Sequence, residues 1–261
     1  MSKFTPSTTR IVLFVLAASA LVVLAWPYLA GNRASVLVAQ AGQGSRESLL
    51  DYQLANILDP HNVAAAAAVA QAHLASDPAR ALRICNRAGD SAALDAVYVK
   101  ALLELGLRTD AANFSRRLVV TRLTDDATLT VAFSFALTGQ QSHIPALASR
   151  LSSPAALQRL QRIEAGNVAL SDELAASGLL RSSSALLATL PDSAPRDIRL
   201  ASLKSLSPYR VDQMEASKLY SAYLQAMPAD IAARQNYANL WQTIYSDRHF
   251  KTARGNICAR T

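Results

Sequence analysis

Cysteine is scarce: the 261 residues include only Cys85 and Cys258. That excludes a disulfide-stapled scaffold and a multi-cysteine zinc module. Glycine is scarce as well, at nine residues, few for a Rossmann-type enzyme with phosphate-binding turns. Charged residues make up 17% against 51% hydrophobic, the reverse of a disordered composition. No two of the four histidines (His61, His73, His143 and His249) stand three or four residues apart, so the usual helical metal-ligand pairs are missing. The serine-nucleophile elbow, the Ser-x-x-Lys motif, the dinucleotide fingerprint and the phosphate-binding loop are missing too. Carboxylates are few, and Asp90, Asp125, Asp172 and Asp212 read as helix-start residues satisfying orphan amides. The expectation is a protein that is not an enzyme and holds no cofactor or metal.

What is present is a net charge of +7, and its placement matters more than its size. Lys3, Arg10 and Arg33 flank one apolar run, and Arg248, Lys251, Arg254 and Arg260 lie in an acid-free C-terminal tail. Between residues 34 and 247 the remaining 19 basic residues balance all 19 acidic ones. The body is therefore neutral, with no basic stripe for nucleic acid, and none is expected as a partner. The tail reads as a solvated terminus or as an electrostatic contact for anionic lipid, a polyanionic wall polymer or an acidic partner.

No charge occurs from Ile11 to Asn32. About twenty helical residues cover the roughly 30 Å hydrocarbon core of a bilayer. Residues 9–30 read as a single transmembrane helix, with Trp26 and Tyr28 at the membrane interface. A cleaved signal peptide is the competing reading. It is disfavoured because Ala39-Gln40-Ala41 lies too far beyond the apolar run, and Tyr28 spoils the nearer site. Lys3, Arg10 and the α-amino group outweigh Arg33 and Arg46, which places residues 1–8 in the cytoplasm and the body outside it. The alanine- and arginine-rich composition suggests a bacterium, so the expected location is the inner membrane with a periplasmic or extracellular C-terminal domain.

Beyond a linker at 31–45, residues 46–247 form helix-length apolar segments broken by Asp-Pro, Gly and Ser-Pro. No stretch sustains the alternation of a strand, so the body reads as all-α. Tyr52, Ala55 and the Asp59-Pro60 pair resemble the second helix and closing turn of a tetratricopeptide repeat. Ala216, Tyr220 and Pro228 hold comparable positions downstream, with Tyr223 where a second alanine is expected. Asp77-Pro78 and Arg108 to Ala112 resemble the starts of second helices. The presumed small positions Ala81, Ala111, Ala146 and Ala185 are 30, 35 and 39 residues apart, so the pattern is divergent. Ala66, Ala70 and His73 replace the repeat's usual first-helix residues.

The resemblance implies an α-solenoid of antiparallel helix pairs whose groove takes extended peptides or partner helices. With the anchor, it implies an interaction scaffold or assembly factor of a bacterial envelope complex. The alternative is an integral subunit held in a larger membrane complex by its transmembrane helix, where Ala17-Ala18-Ser19-Ala20 would admit a neighbouring helix. Tyr220, Tyr223, Tyr237, Trp241 and Tyr245 concentrate aromatics near the C-terminus, as partner-binding residues or as core. Arg248, Lys251, Arg254 and Arg260 are the candidate anionic contact. Cys85 is expected as a buried small hydrophobe, with a bridge to Cys258 left open.

Overall fold

The computed structural model describes residues 25–26, 29–41, 48–118 and 123–258, with side chains placed to residue 246. Among these residues every regular element is helical. A first helix, α1, runs to residue 41 from 29. Then come α2 (Ser48–Leu58), α3 (Val63–His73), α4 (Pro78–Ala88), α5 (Ala92–Glu104), α6 (Arg108–Leu118) and α7 (Asp125–Leu137). Two 3₁₀ segments, Gln141–His143 and Pro145–Arg150, precede α8 (Pro154–Glu164). After them lie α9 (Asn167–Ala176), α10 (Leu180–Ala188), α11 (Ala194–Ser205), α12 (Arg210–Ala226) and α13 (Ile231–Cys258). The all-α expectation holds for this region.

Local chemistry places the helix starts. Asn62, Asp77, Ser91, Thr124, Ser153 and Ser193 each accept a hydrogen bond from the backbone N–H three residues on. Three of the carboxylates expected to cap helix starts do not cap the helix beside them. Ser91 takes the capping position beside Asp90, and Asp172 sits inside α9, 3.6 Å from Arg199. Asp125 lies one residue inside α7 and instead accepts the N–H groups of Ser152 and Ser153, ahead of α8. The Ser152 N–H is the chief reason that the Asp125 carboxyl sits below its ordinary value.

Each helix packs on its neighbours along the chain, and the core follows as a series of clusters. Ala34, Ala55 and Ala65 join α1, α2 and α3 at close range. Ala66, Ala70, Ala81, Cys85, Leu94 and Val97 join α3, α4 and α5. The largest cluster runs from Val99 to Leu186 and contains Phe133 and Phe135. Ala201, Ala216, Tyr220, Leu240 and Ile244 join α11, α12 and α13. Helices α5 and α7 are apolar around most of their circumference, as helices buried on several sides must be.

Three expectations are revised. The linker foreseen at 31–45 is helical to residue 41, because Ala34 has an alanine surface to bury against. Ala81 and Ala111 are fully buried, but Ala146 lies exposed in the second 3₁₀ segment and Ala185 is exposed on α10. The stretch foreseen as a C-terminal tail is helical to Cys258. Among the described residues no helix is long and apolar enough to cross a membrane. Residues 1–24 and Tyr28, which carry most of the expected span, lie outside them.

Cys85 is a free, buried thiol in the α3–α5 cluster, and burial pushes it up from 9.0 to about 11. Two expectations follow. A thiol reagent at pH 8 leaves the Cys85 peptide unmodified, by mass mapping, until denaturant opens the fold. Because the unfolded chain ionises first, stability is complete below about pH 9. It falls by about 2 kcal/mol as the pH rises toward the folded value. Urea midpoints across that range check the second point; modification at the unfolded rate in native buffer contradicts the first.

Candidate functional site

Contacts between sequence neighbours account for most of the packing, but one long-range contact brings α10 onto α5. Glu104, the last residue of α5, is 3% exposed. Its two carboxylate oxygens accept the N–H groups of Arg181 at 3.2 Å and Ser182 at 3.1 Å, in the first turn of α10. The Ser182 hydroxyl returns a hydrogen bond to the Leu103 carbonyl at 2.9 Å. A carboxylate thus meets the positive end of a helix dipole and satisfies two amides that helix geometry leaves orphaned. Burial pushes the Glu104 carboxyl above its ordinary value, while the two backbone hydrogen bonds oppose that shift.

Glycine turns set both sides of this contact. Gly106 (φ 77°) closes α5 and Gly178 (φ 79°) closes α9, each in the left-handed region that an L side chain resists. The N–H of Leu107 bonds the Leu102 carbonyl, and that of Leu179 bonds the Leu174 carbonyl, the six-to-one closure of a Schellman turn. Both turns are therefore sharp, and each lies within three residues of the Glu104 contact.

Beside the contact, α5, α10, α11 and α12 enclose an open cavity of about 530 Å³. Leu180, Leu200, Leu203, Val211 and the alanines 75, 185 and 188 form its apolar wall. Most of its polar groups have partners. The Arg181 guanidinium lies 4.0 Å from the centre of the Tyr209 ring. The Tyr209 hydroxyl donates to the Ser76 carbonyl between α3 and α4, Lys204 pairs with Glu215, and the Ser207 hydroxyl donates to Asp212. Leu206, at the end of α11, and Val211, in the first turn of α12, stay 66% and 70% exposed. The cavity can seat an apolar side chain from another molecule without breaking any of these contacts.

The predicted aromatics take different places. Tyr220 is 1% exposed and fills the core between α11, α12 and α13, so it is a packing residue and not a contact for a partner. The Tyr223 hydroxyl donates to Asp230 at 2.9 Å, closing the α12–α13 turn. Tyr237, Trp241 and Tyr245 form a ladder along α13 with ring spacings of 6.2 and 5.4 Å. Tyr237 and Trp241 pack partly against the core, and Tyr245 is 51% exposed. Trp26 is 61% exposed. Tyr28 lies outside the described residues, as do Arg260 and the side chains of Arg248, Lys251 and Arg254.

Sequence reading overlooked Glu104 and Arg181. Glu104 did leave a signal: a carboxylate inside Leu102-Leu103-Glu104-Leu105-Gly106, where only a buried partner accounts for a charge among leucines. Compared with known proteins, the chain matches no family profile, no curated protein and no solved structure.

Replacing Glu104 tests the contact. Glu104→Ala strands the buried Ser182 amide and the partly buried Arg181 amide, which costs about 2–4 kcal/mol in urea unfolding. Glu104→Gln keeps one acceptor and costs about half as much. Hydrogen exchange at Arg181 and Ser182 speeds up in both; unchanged protection there would show that α10 is held by other means.

Proposed function

We propose that the chain is a membrane-anchored interaction scaffold or assembly factor of a bacterial envelope complex, acting through its helical body and without catalysis. The body is read as a divergent tetratricopeptide-like solenoid, in which each helix pair rests on the next. The support for that reading is the neighbour-by-neighbour packing and the buried small and aromatic positions Ala55, Ala81, Ala111, Ala216 and Tyr220. Residues 9–30 are read as the anchor and the remainder as periplasmic or extracellular, from hydropathy and flanking charge.

One observation carries the binding role. The cavity between α10 and α12 has an apolar wall left open, while Lys204 is paired with Glu215, Glu104 holds two backbone amides and the Arg181 guanidinium lies over the Tyr209 ring. A site arranged in this way favours shape and apolar contact over bond-making chemistry, and suits an anchor side chain from a partner protein.

The test is purification of the full chain from its native membrane in mild detergent, with mass spectrometry of what accompanies it. A stoichiometric partner is expected with the natural chain and is lost with Ala185→Trp, which fills the cavity from an exposed position. The melting temperature should stay within a few degrees. A chain that purifies alone overturns the reading. A partner that survives Ala185→Trp but is lost when the anchor is exchanged for an unrelated apolar helix favours the integral-subunit alternative.

A further inference from the structure

A second open region lies between α2 and α4 over α3, with a volume of about 790 Å³. Its two banks differ in chemistry. Arg80, Arg83 and Arg87 come from α4 at spacings of three and four residues, which sets them along one face over about 10 Å. Gln53 and Asn56 come from α2 and carry no charge. Val69 forms an apolar part of the floor.

Among the described residues no carboxylate lines this groove. Asp77 lies 4.0 Å from Arg83, at the edge of ion-pair range and with both side chains well exposed. Asp77 is also occupied as the cap of α4. At the floor, the His73 Nε2 is enclosed and has no hydrogen-bond partner. Its ring sits below its ordinary pKa of 6.5, first through burial and then through the nearby positive charge of Arg80. The groove's described lining thus carries three arginines and no acid, at a site that also offers amides and an apolar floor.

We infer that this groove binds an acidic, extended segment of a partner protein, its carboxylates on the α4 arginines and its backbone along the α2 amides. Alternate side chains of an extended chain recur about every 7 Å, so two acidic residues at alternate positions reach the arginine row. Gln53 and Asn56 each present a donor and an acceptor, matching the peptide groups of such a segment. A phosphate polymer or a lipid surface would be better served by cations on both banks, and the α2 bank has none. The inference rests on the interaction-module reading but concerns a different surface from the cavity beside α10.

The probe is a capped, fluorescent Glu-Val-Glu-Val-Glu peptide, with its Gln-Val-Gln-Val-Gln counterpart as control, titrated onto the full chain in detergent. Binding is expected for the acidic peptide alone and weakens as salt rises. Arg83→Glu with Arg87→Glu lowers affinity about tenfold or more. The matched pair Arg108→Glu with Arg116→Glu, on α6, leaves it unchanged. In the complex the His73 ring signal titrates closer to 6.5 than in the free protein. Absence of binding overturns the inference, as does equal loss in both double variants. So does tighter binding to phosphatidylglycerol vesicles that the peptide fails to displace. A native partner that still depends on Ala185 while the peptide fails to bind would sink this inference alone and leave the module reading intact.

Discussion

The architecture depends on one buried carboxylate. Chains of helix pairs ordinarily touch only their neighbours, and nothing in such packing brings the two halves together. Glu104 does so here by accepting two amides from the first turn of α10, seventy-odd residues away in the chain. The interaction is directional, and withdrawing the acceptor leaves amides with no substitute. It therefore fixes the placement of α10 more narrowly than apolar contact alone could. The cavity beside it, the Arg181–Tyr209 stack and the Tyr209–Ser76 hydrogen bond all lie downstream of that placement.

The same solution recurs in smaller form. Asp125 receives the amides ahead of α8, Lys100 reaches Asp126 at 2.7 Å from a nearly buried position, and Glu173 holds Arg159 and Arg162 at 2.7 and 2.8 Å. Buried hydroxyl pairs, Ser115 with Ser134 and Ser171 with Ser183, join further helices at 2.8 Å. A chain with 6% aromatic residues has few large side chains to key its helices together. Short polar contacts between closely approaching alanine- and serine-rich faces supply the specificity that bulky packing supplies elsewhere.

Much of this was legible in the sequence where the governing interaction is local. Proline after Asp77, the capping serines and the five glycines with positive φ mark helix ends through forces acting over three or four residues. Ala55 and Ala216, which hold the small positions of the repeat that the sequence resembles, are fully buried. What failed was non-local. Asp125 looked like a cap because sequence does not reveal that Ser152 and Ser153 come within reach of it. Ala146 and Ala185 were assigned by extending a period that the 3₁₀ segments interrupt. For the candidate sites, the arginine row on α4 was present in the helical spacing, but the groove beside it required α2 to be set in place. Tyr220 and Trp241 shared one aromatic cluster in the sequence, and only the packing of α13 separates core from rim.

The hydrogen bond from Tyr209 to Ser76 has a bearing on how the protein is made. Its partners are 133 residues apart, and those of the Glu104 contact are 77 and 78. Pairings of that range close loops whose entropy must be met before any contact rewards it, so they form late and raise the contact order above that of a simple helical array. During synthesis, α3 to α5 can assemble as soon as they emerge, with the Glu104 carboxylate still facing water. The cavity wall contributed by α11 and α12 arrives only after some two hundred residues have left the ribosome. Completion of the cavity is thus tied to late stages of synthesis, and fragments released early lack it.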